Sequence, residues 1–270
     1  MSTKPAAMTQ RGPPSRLLLL LVRFTPLRSA RVRRGIRSLE RTAARWRRRR
    51  AERRGDDRFS RPAAHDLEAR LQRYLPDPGF FVEAGAYDGY VLSNTYYFER
   101  FCGWTGVLIE PIPQLARIAR KERPRSRVIN CALVPPVQSG QRVRVHYAGT
   151  MSIVAGARGD ERDDAAYLDS ALLFPRDGYQ VEVWGRTLSD VLDDAGAPEV
   201  DLLSLDLEGF EAQALAGLDL ERHAPHFILV EVQDDERRRA VTERLADRYR
   251  LAERMSAKDL LFARLDQAPT

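Results

Sequence analysis

The chain has 270 residues, 43% of them hydrophobic, which allows one core of about 200 residues and is too short for two large domains. Its net charge of +6 conceals a division: residues 1–61 hold 19 Lys/Arg against 4 Asp/Glu, a net +15, and residues 62–270 hold 25 against 34, a net −9. Two cysteines in different predicted elements, Cys102 and Cys131, argue against a disulfide framework.

Residues 1–61 carry Pro13-Pro14, few aromatics and dense arginine, including Arg47-Arg48-Arg49-Arg50, so self-repulsion opposes packing and a flexible or partly helical arm is expected. Its aliphatic run, Leu17 to Val22, is shorter than the about 20 residues of a membrane span or the about seven of a signal-peptide core. Such an arm is either a tether to nucleic acid or anionic membrane, or a solvated tail. The body, 62–270, opens with Leu67, Leu71, Tyr74 and Leu75 at helical spacing, stopped by Pro76-Asp77-Pro78-Gly79. A regular alternation follows: strand 80–84, helix 92–102, strand 106–110, helix 113–122 opened by Pro113, strand 127–134, and an extended pair near 141–147 and 179–184. The closing half reads helix 187–195, strand 200–206, helix 209–217, strand 226–232, helix 236–247 and a final pair 249–254 and 259–265. Between 148 and 178 lies one long irregular insertion. Strands such as Val200 to Leu205 and Phe227 to Val230 are almost continuously apolar, as parallel strands covered on both faces are. The class is therefore α/β, doubly wound around a mostly parallel sheet.

Ligands of such sheets bind beyond the carboxyl ends of the strands, near the switch in strand order. The run from Phe80 ends in Glu83 and turns on Gly85 and Gly89, where a missing Cβ lets the backbone approach a ligand. Tyr87 stands where the middle glycine of a dinucleotide fingerprint would admit a pyrophosphate, and Asp88 would repel that dianion, so a cofactor without phosphates is favoured. Glu110 ends the next strand and suits the two hydroxyls of a ribose. Asp206 ends a third strand, ahead of Leu207-Glu208-Gly209-Phe210-Glu211, where it would attract a cationic cofactor or hold its amino group; Glu211 reads as a helix-dipole partner. Glu231 closes the strand from Phe227 and adds a fourth acid to the rim.

The succession Phe81-Val82-Glu83-Ala84-Gly85-Ala86-Tyr87-Asp88-Gly89, Ser93-Asn94-Thr95, Gly103-Trp104 with Gly106 to Pro111, Asp201 to Glu211, and Val230-Glu231 resembles the FkbM family of S-adenosylmethionine-dependent methyltransferases, over about Phe80 to Glu231. The resemblance implies a Rossmann-like, seven-stranded class I methyltransferase fold, S-adenosyl-L-methionine as methyl donor, and an acceptor oxygen on a sugar, glycan or natural product. It implies Glu83, Gly85, Asp88 and Gly89 at the amino-acid end of the cofactor and Glu110 at its ribose; Ala86, within the same turn, and Asp206, by its place at a strand end, are expected to join them. Members similar to this chain often carry a lysine where it has Ser204, so no role of that lysine transfers.

An alcohol acceptor must lose its proton, and Asp206 and Glu208, with Glu231 behind them, are the candidate proton acceptors. Their alternative use, holding Mg²⁺ or Ca²⁺, is disfavoured because no histidine or asparagine is close in sequence, and no metal is expected. His65, His146, His223 and His226 read as structural, and Trp104, Trp184, Tyr96, Tyr97 and Phe98 as core or interface. The insertion 148–178 is expected to cover the acceptor. Two other classes stay open: a nicotinamide-dependent oxidoreductase, and a non-catalytic module whose arm binds nucleic acid or membrane. The expected location is the cytoplasm, or the inner membrane face if the arm reaches it.

Overall fold

The computed structural model describes residues 30–170 and 178–267, with side chains over 40–169 and 178–267. Residues 1–29 of the arm, 171–177 of the insertion and 268–270 lie outside the described residues. The chain divides after Arg54 into two units, Met1–Arg54 and Gly55–Thr270. In the first, Ala30–Glu52 forms helix α1. Among the described residues no helix is long and apolar enough to cross a membrane.

The second unit carries α2 (Leu67–Leu71), β1 (Phe80–Ala84), α3 (Tyr96–Phe101), β2 (Thr105–Ile109), α4 (Pro113–Glu122), β3 (Ser126–Ile129), β4 (Ala132–Leu133), β5 (Arg142–Tyr147) and β6 (Ile153–Val154). After these come α5 (Glu161–Ser170), β7 (Tyr179–Arg186), α6 (Leu188–Ala195), β8 (Leu202–Leu205), α7 (Glu211–Ala216), β9 (Phe227–Glu231), α8 (Asp235–Leu245), β10 (Tyr249–Arg254) and β11 (Asp259–Arg264). Seven strands form one sheet in the order β10-β11-β9-β8-β1-β2-β3. From β3 to β9 every pairing is parallel, and β11 and β10 close the edge antiparallel. Alternate strand residues point to opposite faces, and each face has its own core. Val82, Leu203, Leu205, Ile228 and Val230 pack with Leu188, Leu192, Leu215 and Val241 of α6, α7 and α8. Phe81, Leu108, Leu202 and Leu229 pack with Leu67, Leu71, Phe98 and Ala116 of α2, α3 and α4. The helices that follow β1 and β2 (α3, α4) and those that follow β8 and β9 (α7, α8) therefore cover opposite faces, and the winding reverses where β8 lies beside β1. That is the switch point at which such sheets bind ligands.

Local sequence explains the element ends. Pro113 fills the first turn of α4, where its missing N–H costs nothing. Thr187 and Asp190 form a reciprocal capping box on α6, and Gly196 ends it at φ +58. Three expectations need correction. The helix expected from residue 92 starts at Tyr96, because Leu92 takes φ +59 and the preceding residues form a loop. The strand expected over 127–134 breaks near Asn130, whose amide turns back to donate to the carbonyls of Glu110 and Pro111 at 2.8 Å each. The insertion 148–178 is structured where described: a turn of 3₁₀ helix at Gly149–Met151, then β6 and α5. Its β6 joins a second, four-stranded sheet, β4-β7-β5-β6, in which β5 pairs antiparallel with β6 and β7.

Candidate active site

Parallel β2, β1 and β8 end side by side, and their carboxyl ends open on one cleft lined by Glu83, Gly85, Tyr87, Asn94, Glu110, Ser204, Asp206 and Glu208. Thr150, Ser152, Ile153 and Val154 of the insertion, with Val145 of β5, form another part of its wall. Glu83, Glu110 and Asp206 thus share one cavity.

They do not share one role. Glu83 is buried, and its carboxylate accepts from Ser93 Oγ at 2.9 Å, from Thr95 Oγ1 at 2.5 Å and from the Asn94 N–H at 2.9 Å. Arg123, fully buried just after α4, reaches Glu83 at 3.3 Å and Glu99 at 2.8 Å, and donates to the Gly89 carbonyl, Ser93 Oγ and the Thr95 carbonyl. Glu83 and Arg123 therefore clamp the loop 89–95 that forms one wall of the cleft. Of the other residues expected at this end, Ala86, Asp88 and Gly89 do not line the cleft. Asp88 Oδ1 accepts from the N–H groups of Tyr90 and Val91 at 3.0 and 2.9 Å, so it shapes the turn. Gly89, at φ +81, lies against α4: a Cβ would fall 3.1 Å from the Ala119 Cα and 3.0 Å from the Arg123 Cγ. At Gly85, φ +82, a Cβ would lie 2.0 Å from the Asp206 carbonyl oxygen. Only a glycine lets β1 turn this close to β8.

Glu110 is buried, with one oxygen accepting from the Tyr87 N–H and the other from the Ile112 N–H, both at 2.8 Å. Burial pushes its carboxyl up to about 8. Asp206 has a buried oxygen, Oδ1, with no hydrogen-bond partner among the described residues. Burial first, then the nearby Glu231, Glu208 and Glu211 carboxylates, hold its carboxyl well above the usual range. Glu208, at φ +55, accepts from the Tyr167 hydroxyl of α5 and from the Gln233 amide, and Arg158 stands 4.0 Å away with its guanidinium over the Tyr167 ring at 3.8 Å. Glu211 does more than meet a helix dipole: it accepts from the Leu207 and Gly209 N–H groups at 2.9 and 3.0 Å and braces the turn after β8. Glu231 is not on the central cleft. It lines a second cavity with His65, Lys258 and Asp259, and pairs with Lys258 at 3.4 Å; Asp206 borders both cavities.

Sequence reasoning missed Arg123 and Asn94, whose amide donates to Ser204 Oγ at 3.1 Å on the cleft wall. Asn94 stands in the Ser93-Asn94-Thr95 triplet that was visible. Among the described residues no group of three or more His, Cys, Asp or Glu could hold a metal ion. His223 pairs with Asp193 at 2.8 Å, and His226 with Glu199 at 2.6 Å.

The cleft is thus lined by four carboxyl side chains, those of Glu83, Glu110, Asp206 and Glu208. The model of the Methyltransferase FkbM domain matches residues 83–256. No curated protein matches the sequence. Among solved structures, the chain is similar to a methyltransferase FkbM from Methylobacillus flagellatus KT, at 14% identity over 80% of this chain and 59% of that one, TM-score 0.42. It is also similar to a methyltransferase from Geobacter sulfurreducens, at 15% identity over 94% and 98% of the two chains, TM-score 0.41. An O-methyltransferase from Bacillus cereus in complex with SAH is similar at 12% identity over 74% and 79%, TM-score 0.38.

Proposed function

The chain belongs to the methyltransferase FkbM domain family, and from that premise we propose that it methylates a hydroxyl oxygen of a small-molecule acceptor such as a sugar, a glycan or a natural product. It is an S-adenosylmethionine-dependent methyltransferase. The observation that carries the reading is the partnerless Asp206 Oδ1 on the cleft shared with Glu110.

Glu110 holds the ribose diol with the lone pairs its two backbone donors leave free. Gly85 and the Tyr87 backbone would hold the amino-acid end, and the Glu83–Arg123 clamp holds the loop 89–95 on the cleft wall. When bound, S-adenosylmethionine supplies a methyl group on a sulfonium, already activated for transfer. The protein's share is then orientation, for which up to about 7–11 kcal/mol is available, and removal of one proton. Asp206 Oδ1, in its ionised form, receives the proton of the acceptor hydroxyl; burial and the neighbouring carboxylates raise its proton affinity and so make it a stronger base than an ordinary surface acid. Glu208, tied to Tyr167 and Gln233, positions the acceptor side. Glu231, behind Asp206, keeps its affinity for a proton high.

Asp206→Asn should lower kcat by about 10²- to 10⁴-fold while S-adenosylhomocysteine still binds. Calorimetry with S-adenosylhomocysteine and NAD on the native chain separates this from an oxidoreductase. Tight binding of NAD alone would sink the reading, and unchanged kcat in Asp206→Asn would remove Asp206 as the proton acceptor.

A further inference from the structure

Helix α1 holds ten arginines and two glutamates in 23 residues. Within it Val32, Ile36, Leu39, Ala43 and Trp46 follow one another at steps of four, three, four and three, the spacing of a single stripe on a helix of 3.6 residues per turn. The stripe is apolar in a helix that is otherwise cationic. Where side chains are described, its side is open: Trp46 is 57% exposed, and Ala43, Arg47 and Arg50 are exposed near it. Arg48 is buried at 5% exposure and pairs with Glu52 at 3.5 Å. Near the end of this helix the indole is therefore exposed and one arginine buried. The Arg50 guanidinium lies 5.4 Å from the centre of the Trp46 ring, a cation beside an indole as at the headgroup level of a bilayer.

We propose that α1 is a membrane-surface helix that lays its Val32-to-Trp46 stripe into an anionic lipid leaflet, with Arg47 and Arg50 on the lipid phosphates. Basic charge by itself fits nucleic acid equally well, but phosphate contacts would leave the apolar stripe in water. A second copy would bring two helices of net charge +8 together along that stripe, and like charges oppose this. An anionic leaflet takes both the stripe and the charge.

Sedimentation of the full chain with phosphatidylcholine vesicles, with and without phosphatidylglycerol, tests this. The chain should pellet with phosphatidylglycerol present, stay in solution on phosphatidylcholine alone, and be released by salt. Arg47→Glu and Arg50→Glu should each weaken partition by at least about five-fold and Trp46→Ala by roughly ten-fold, while Trp46→Phe retains most of it. S-adenosylhomocysteine affinity and helix content should stay as in the parent, which separates the arm's failure from the failure of the methyltransferase fold. Absence of pelleting, or equal pelleting on both vesicles, overturns the proposal. So does salt-dependent binding of an RNA or DNA duplex that Trp46→Ala leaves intact while vesicles are not bound, and so does a dimer abolished by Trp46→Ala in the absence of lipid.

Discussion

Glu110 holds one backbone N–H on each carboxylate oxygen, which leaves a second lone pair on each for the diol proposed above. In the free protein burial raises its carboxyl to about 8, so at neutral pH it carries a proton. A ribose diol donates to the ionised form, and cofactor binding should therefore displace that proton. Affinity for S-adenosylhomocysteine is expected to climb as pH rises toward 8 and to level off above it. Glu110→Gln should lose roughly ten- to a hundred-fold in affinity on the plateau, the worth of one or two charged hydrogen bonds, and flatten the profile. Calorimetry across pH in buffers of different ionisation enthalpy counts the proton directly, and a flat profile in the parent would remove Glu110 from the ribose. Arg123 calls for a different measurement. Arg123→Gln leaves Glu83 and Glu99 buried without their guanidinium, a change expected to cost about 3–5 kcal/mol in denaturant unfolding. Glu110 and Asp206 were legible in the sequence because a parallel strand places its last residue at the sheet rim. Arg123 was not: it sits among Arg120, Lys121, Arg125 and Arg127, and nothing local distinguishes the one that turns inward toward a carboxylate 40 positions earlier.

At the scale of elements, the insertion joins the cleft through its wall residues Thr150, Ser152, Ile153 and Val154 and through a polar group around Glu208. The Tyr167 hydroxyl of α5 donates to Glu208 after β8, Arg158 stacks on the Tyr167 ring, and both rest on Gln233 or Glu208 beyond β9 and β8. Tyr167→Phe keeps the ring and removes that bond to a carboxylate, worth about 1.5–3 kcal/mol. If the insertion covers the acceptor, this variant should raise the acceptor KM by roughly ten-fold or more and leave S-adenosylhomocysteine affinity unchanged. Steady-state kinetics with each substrate varied in turn reads the split, and a loss confined to the cofactor would place α5 on the wrong side of the cleft. The central strands β1, β2, β8 and β9 could be read in sequence because each is a short, mostly apolar run that is largely buried. Of the small sheet, β5 and β7 were legible as the extended pair near 141–147 and 179–184, but β4 and β6 were not: each has two residues, and β6 owes its form to pairing with Val145 and His146 of β5. Non-local pairing of this kind leaves no periodic trace.

For the whole molecule, the charge division has a thermodynamic consequence. In the acidic body, Glu68, Glu110, Asp206, Glu208, Glu211 and Asp259 are all raised, with burial the first cause in each. Glu68 reaches about 7 and Glu110 about 8, against 4.5 for an unperturbed glutamate. A raised acid binds its proton more tightly folded than unfolded, so its contribution to stability is complete below about pH 4.5 and is lost as pH rises through the folded value. The acids lowered by partners, such as the exposed Asp190 through Thr187 and the half-buried Glu253 through Tyr74, act in the opposite direction, but their effect is complete by about pH 5. The free protein should therefore be most stable near pH 5 and lose on the order of a few kcal/mol between there and pH 8. Thermal melts across that range measure the slope, and Glu68→Gln should flatten its part near pH 7. Saturating S-adenosylhomocysteine should remove the Glu110 part, because a carboxylate that faces a diol no longer resists ionisation, while the Glu68 part persists. A ligand that shifted every melting point by the same amount would show that the ribose site and the titrating carboxylate are different groups.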